Sequence, residues 1–259
     1  MTRPAISVLL PTRGRPGPCR RSVLALRHLA SRPQDIELLI RHDEDDPPPP
    51  FSHEADEAGA FAAFRILSGP RHGYAGMHRY YNELAAEARG DWLLIWNDDT
   101  DMLTPGWDLM LREAPPFCVQ FPRRDITATT DFTFPVLGRP VYETLGHVAT
   151  NGYCDAWLSD VTCYAGVAVL RDDIVFHHHR LDDETMRGQH RDGPPEWARF
   201  GSIEEGVSRR SAMEAIRGAP AWPDRFCGWA VEEVRCGEGT VGLSTGPARA
   251  SCFILRGRP

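Results

Sequence analysis

The stretch from Gly90 through Asp91-Trp92-Leu93-Leu94-Ile95-Trp96 to Asn97-Asp98-Asp99-Thr100-Asp101-Met102 limits the fold more than any other part of this chain. Its apolar run, residues 92–96, shows no polar alternation. Such a run reads as a strand buried on both faces, as in a parallel sheet covered by helices. The run stops at acid, with Asp98, Asp99 and Asp101 falling within four residues. Like charges this close repel, and they persist either in water or around a hard cation that takes oxygen ligands. A solvated acidic turn is the plainer alternative, because charge clusters are usually surface features. The buried strand directly before the acids shifts the balance, since ligands of open α/β sheets bind beyond the carboxyl ends of the strands.

The preceding residues supply the neighbours such a strand needs. Residues 5–10 read as a first strand, closed by the basic loop Pro11-Thr12-Arg13-Gly14-Arg15-Pro16, which is able to hold an anion. Val23, Leu24, Leu26 and Leu29 stand at near-helical spacing and predict a helix over 20–30. A strand at 36–40 ends at a second acid cluster, Asp43, Glu44, Asp45 and Asp46. A turn into the prolines at 47–50 accounts for Asp45 and Asp46, which leaves Asp43, nearest the strand, as the functional candidate. A strand at 61–67, a glycine-rich loop and a helix at 77–88 follow, with Arg79 and Asn82 on one helical face toward the strand ends. This alternation predicts an open, largely parallel sheet flanked by helices.

Beyond the acidic stretch, Thr104 as N-cap and Pro105 in the first turn predict a helix to residue 113, followed by a strand at 117–121. A shift to Arg, Thr and Asp at 122–134 divides one domain into halves, 1–124 and 125–259. In the second half, helices are expected at 139–146 and 155–164, the latter with Trp157, Leu158, Val161 and Tyr164 on one face and Gly166 at its end. Asp155 opens that helix, where it serves either as N-cap or as a carboxylate at the rim of a cleft. Short strands at 167–170 and 174–176 lead to His177-His178-His179, then a charged Gly/Pro loop at 180–199 expected to be mobile, and a helix at 202–217. The tail, 223–259, shows no readable period.

Composition removes several function classes. A net charge of -7 disfavours nucleic acid as a partner. The seven cysteines are scattered, odd in number and without a C-x-x-C pair, so neither a zinc ribbon nor a disulfide framework is expected and a cytoplasmic location fits. No apolar run reaches transmembrane length.

In this order the motifs resemble the nucleotide-sugar glycosyltransferases of the large family 2 type, whose fold is called GT-A. VLLPTRGRP (8–16) is similar to the family's opening strand and PTxNRP-like loop, with Gly14 where Asn is common. LLIRHDEDD (38–46) resembles the second strand ending in Asp-Asp-Gly-Ser, with Asp43 at the first Asp and acids in place of Gly-Ser. MHRYYNELAAEARGDWLLIWNDD (77–99) resembles the helix carrying an Arg-Asn pair, the following Gly-Asp strand and its Asp-x-Asp or Asn-x-Asp motif. Further on, Cys154-Asp155, Gly166 and His177 fall where the family carries Glu-Asp, Gly and His, with Cys154 replacing the Glu.

The resemblance, which spans roughly residues 5–180, implies a GT-A-like open, largely parallel central sheet flanked by helices, with a smaller acceptor-side half. It implies a metal-dependent, inverting glycosyltransferase that moves a sugar from a nucleotide diphosphate donor to a hydroxyl acceptor. Residues 1–124 become the donor-binding half and 125–259 the acceptor side. Pro11, Thr12 and Arg13 are expected to line the nucleotide pocket, with Asp43 accepting a hydrogen bond from the base and Arg79, Asn82 and Asp98 beside the donor. Asp99 and Asp101 are expected to hold Mn2+ or Mg2+, with His177 completing the shell and His179 as the fallback. Asp155 is the expected base, with Asp160 as runner-up. A sugar-nucleotide pyrophosphorylase is the alternative enzyme, although PTRGRP lacks the GxGTRxxP form and nearby Lys of that class. A non-catalytic calcium- or carbohydrate-binding domain is the other alternative.

Overall fold

The computed structural model describes residues 3–49, 51, 60–127, 132–179, 203–220, 229–235 and 251–257. The first half comprises β1 (Ile6–Pro11), α1 (Pro16–Leu29), β2 (Ile36–Asp43), β3 (Ala63–Gly69), α2 (Met77–Glu87), β4 (Trp92–Ile95), β5 (Thr100–Met102), α3 (Trp107–Leu111) and β6 (Val119–Arg124). The second comprises β7 (Val136–Gly138), α4 (Arg139–Leu145), α5 (Cys154–Ala165), β8 (Ala168–His178), α6 (Ile203–Gly218), β9 (Trp229–Arg235) and β10 (Ser251–Gly257). The loop expected at 180–199 lies outside the described residues.

One sheet runs through both halves in the order β3-β2-β1-β4-β7-β6-β8-β10-β9, and β5 pairs with β8. β1, β2, β3 and β4 are mutually parallel, as are β6, β8 and β10, while β7, β5 and β9 run antiparallel to their neighbours. β2 and β4 are buried along their whole length, β4 as its unbroken apolar run requires and β2 with Glu37, Arg41, His42 and Asp43 buried among its apolar residues. Each face of the sheet has its own core. Val8, Leu10 and Leu94 pack with Val23 and Leu26 of α1 on one side, and Leu9, Leu39 and Leu93 pack with Leu84 of α2 and Trp157 of α5 on the other.

The chain goes from β1 outward to β2 and β3 and then returns to the far side of β1 as β4. The strand order therefore switches between β1 and β4, which is where open α/β sheets form a ligand crevice beyond their carboxyl ends. At the amino ends of the same strands, the turn before β4 packs closely on β1. A Cβ on Gly90 would stand 2.6 Å from the Ser7 backbone nitrogen, so only glycine lets the turn before β4 press onto β1.

Several elements differ from the sequence reading. α1 starts at Pro16, earlier than residue 20, because a proline is tolerated in a first turn whose N–H groups have no helical partner. Thr104 does not cap α3: its hydroxyl takes the Val175 N–H at 2.7 Å, and Gly106 in the left-handed conformation precedes the helix. The acidic stretch returns as β5, and the two short strands expected at 167–176 merge into β8. β9 and β10 come from the tail that showed no period. Among the described residues no helix is long and apolar enough to cross a membrane.

Candidate active site at the carboxyl ends of the strands

The basic loop after β1 reaches both acid clusters. Thr12 donates from its hydroxyl to Asp98 Oδ2 at 2.7 Å, and its backbone N–H bonds Arg41 at the end of β2. Arg13 reaches Asp43 Oδ2 at 2.8 Å and also holds Asp45, and this pairing raises the guanidinium's pKa. The Gly14 N–H donates to Asp46 at 2.7 Å. Arg15 lies 3.1 Å from Asp98 and 3.5 Å from Asp99. The loop expected to hold an anion thus grips the chain's own carboxylates. Pro11 is the last residue of β1, next to this network.

Three consecutive residues of α2 join the pieces of the site. The Tyr80 hydroxyl donates to Asp43 Oδ1 at 2.8 Å and accepts N–H bonds from His72 and Gly73. The Tyr81 hydroxyl donates to Asn97 Oδ1 at 2.5 Å, just beyond β4. Asn82 turns away from the donor position expected for it: its amide takes the Val148 N–H at 2.7 Å and donates to the Ala149 carbonyl at 3.0 Å, fixing the segment that enters α5. A helical pitch that spreads three successive side chains over different directions makes one helix the link between β2, β4 and α5. Burial, then the nearby groups Cys154, Asp155, Asp99 and Asp98, push the Tyr81 phenol well up.

The three expected metal-binding side chains go to different partners. Asp101 is taken by Arg21 at 3.1 Å and His179 at 2.8 Å, and His177 by Asp125 at 2.7 Å. The histidine that faces Asp99 is His178, with Nε2 3.3 Å from Oδ1. The reason is register: β5 and β8 pair Thr100 with His178, and strand alternation sends His177 and His179 to the other face. Phe134, held at φ 47, stands with its ring 5.0 Å from the His178 ring and closes this pocket on its apolar side.

Asp99 Oδ1 is buried without a hydrogen bond, and so is His178 Nδ1. Burial raises the Asp99 pKa, but His178 and Arg15 outweigh it and hold the carboxyl below its usual value. A carboxylate oxygen and an imidazole nitrogen suit Mn2+, and this oxygen has the His178 ring at 3.3 Å as its ion-pair neighbour. Among the described residues no group of three His, Cys, Asp or Glu side chains converges as a closed metal cage. The arrangement therefore fits a cation whose other ligands are water and phosphate oxygens.

No protein-family model matches the chain, and no curated protein does. Among solved structures, the mannosyltransferase PcManGT from Pyrobaculum calidifontis, in complex with GDP-Man and Mn2+, matches with a TM-score of 0.52 at 13% identity, over 83% of this chain and 74% of that one. The chain has a GT-A-like glycosyltransferase fold. S. aureus TarS 1-349 matches more weakly, with a TM-score of 0.49 at 11% identity over 82% of this chain and 70% of that one.

On the second half of this GT-A-like fold, Asp155 is the second residue of α5 and half-buried, and its Oδ1 accepts the Ala156 N–H at 2.8 Å. It is not the N-cap, since Tyr153 holds that position and is itself tied to Asn151. Arg79 is exposed on the first turn of α2. Asp160 faces Arg209 of α6 at 3.6 Å, away from the strand ends. Tyr80, Tyr81, His178 and Phe134 were not singled out in the sequence. The signal for the tyrosines was two phenols directly before Asn82 on a helix that leads into the β4 strand.

Proposed function

We propose that this protein is a metal-dependent glycosyltransferase that moves one sugar from a nucleoside diphosphate donor to a hydroxyl acceptor with inversion at the anomeric carbon. The observation that carries this reading is the bridging by α2, whose Tyr80, Tyr81 and Asn82 tie Asp43, Asn97 and the entry to α5 into one edge of the sheet. The GT-A-like fold supports it, as does the donor-bound, Mn2+-bound state of the mannosyltransferase neighbour.

In this reading residues 1–124 bind the donor and 125–259 build the acceptor side. Pro11, Thr12 and Arg13 line the nucleotide pocket. Asp43, held by Arg13 and Tyr80, keeps lone pairs for an N–H of the base. Arg79 faces the base or phosphates from the rim. Asp99 and His178 hold Mn2+ or Mg2+, with Asp98 beside them. The bound cation supplies positive charge that stabilises the departing diphosphate. The acceptor oxygen attacks the anomeric carbon as the bond from that carbon to the diphosphate breaks. The hydroxyl proton passes to Asp155, and a nucleoside diphosphate leaves.

Thermal-shift titration with UDP and GDP in the presence of Mn2+ tests the proposal. A true ligand at about one hundred times its Kd stabilises the native state by about 2.7 kcal/mol, and Asp99→Asn should remove that gain. If neither nucleotide stabilises the wild-type protein with Mn2+ present, the reading fails.

A further inference from the structure

Arg15 occupies a position that a divalent cation and a diphosphate would both contest. Its guanidinium is 3.1 Å from Asp98 Oδ1 and 3.5 Å from Asp99 Oδ2. Asp98 Oδ2 accepts from Thr12 and Asp99 Oδ1 has His178 beside it, so Arg15 stands at the other oxygen of each acid. The side chain is more open to solvent than its partners, 24% against 8% and 10%. Its backbone is fixed, because Arg15 immediately precedes Pro16 at the start of α1, and the preceding Gly14 is anchored to Asp46. Exchange of partners by Arg15 is therefore a movement of the side chain on a held backbone.

The geometry points to Arg15 as an internal counter-ion that holds Asp98 and Asp99 until a nucleoside diphosphate arrives, then releases them to the cation and turns to the phosphates. This inference rests on the glycosyltransferase reading above and deepens it. Two carboxylates and one guanidinium leave a net charge of about -1, and a divalent cation placed beside Asp99 meets the like charge of Arg15 at close range. Without nucleotide, cation binding is opposed by Arg15. With a diphosphate present, the same guanidinium gains phosphate oxygens, for which its planar fork is well matched. Cation and nucleotide then bind as a coupled pair, each raising the other's affinity by the same factor. The step is an exchange of ion-pair partners and involves no covalent change.

The test measures Mn2+ binding by calorimetry, alone and with saturating UDP or GDP, in the wild-type protein, Arg15→Gln and Arg15→Lys. The exchange predicts opposite effects of Arg15→Gln: Mn2+ alone binds about tenfold more tightly, while nucleotide binding in the presence of Mn2+ weakens about tenfold. A merely structural role would weaken both. Arg15→Lys keeps the charge and should keep wild-type Mn2+ affinity, which separates charge from packing. Unchanged or weaker Mn2+ binding by a folded Arg15→Gln protein overturns the exchange while leaving the glycosyltransferase reading intact. So does nucleotide binding that needs no cation and is lost in Arg15→Gln, because Arg15 would then be a clamp and not a counter-ion. Absence of both Mn2+ and nucleotide binding in the wild-type protein would overturn the glycosyltransferase reading and this inference with it.

Discussion

Glu37 and Asp99 are both buried carboxylates of one sheet, at opposite ends of its strands, and they are satisfied in different ways. Glu37, at the amino end of β2, accepts from the Ser7 hydroxyl at 2.5 Å, from the backbone N–H groups of Arg89 and Gly90, and from Arg89 Nε at 3.3 Å. Asp99, beyond β4, has His178 and Arg15 nearby, yet one of its oxygens makes no hydrogen bond. A carboxylate that serves the fold is saturated by groups that cannot leave, chiefly backbone N–H. One that serves a ligand is balanced by side chains that can turn away. The same contrast holds for the arginines. At the amino end, Arg3, Arg89 and Arg139 line a cavity of about 460 Å³, but Arg139 donates to the Gly90 and Ala88 carbonyls and Arg3 to that of Arg89. That cavity is framed by structural arginines, whereas Arg13 and Arg15 at the carboxyl end pair with the carboxylates of Asp43, Asp45, Asp98 and Asp99.

Substitutions at the two ends should therefore fail in different assays. The largest effect is expected for Asp155→Asn, which keeps an acceptor for the Ala156 N–H but cannot take a proton. Transfer should fall by about 10³-fold while melting temperature and nucleotide binding hold. Full transfer by a stable variant would remove Asp155 as the base. Glu37→Ala should cost about 3–5 kcal/mol of stability, because Arg89 and the two backbone N–H groups lose a buried anion. Chemical denaturation reads that loss, and nucleotide affinity of the remaining folded protein should match wild type. A change in affinity at constant folded fraction would break the contrast between the two ends. Asn82→Ala comes next, at about 1–3 kcal/mol, since the Val148 N–H and Ala149 carbonyl lose a buried partner. Because those residues lead into α5, its transfer rate should drop more than its donor affinity, and equal losses would mean that α2 does not align the acceptor side.

The two kinds of site were not equally legible in the sequence. β4 declared itself as an apolar run without alternation, β1 and β2 were read as short strands, and Asp43, Asp98 and Asp99 followed as acids at strand ends. The histidines did not, because three in a row give no phase. Which of them faces Asp99 depends on pairing between β5 and β8, whose partners Thr100 and His178 are far apart in the chain. β5 itself is three residues of an acidic stretch, too short and too polar to show strand periodicity. Asn82 was read on a helical face with Arg79, toward the strand ends, and its amide could be matched to residues 148 and 149 only once α2 was packed against the segment that enters α5. Thr104 had the composition of an N-cap, and tertiary contact with β8 claimed its hydroxyl first.

Asp160 probes whether an under-satisfied buried acid must be functional. It shares with Asp99 a buried oxygen that has no hydrogen bond, yet it lies between α5 and α6, and Arg209 is its ion-pair neighbour at 3.6 Å. Burial pushes its pKa up, and Arg209 offsets only part of this, leaving it at about 6. Asp99 moves the opposite way because His178 and Arg15 face it and outweigh its burial. For Asp160 the folded state therefore holds its proton more tightly than the unfolded chain does. Its contribution favours folding at low pH and is lost as pH rises from the unfolded value through about 6. Between about pH 5 and about pH 7.5 the loss is about 1 kcal/mol, a small effect that denaturation at the two pH values can resolve. Asp160→Asn should flatten that part of the pH profile and leave transfer unchanged. An unflattened profile would mean that Asp160 titrates as an ordinary surface acid. Lost transfer in a stable variant would mean that the acid between the helices, and not Asp155, handles the proton.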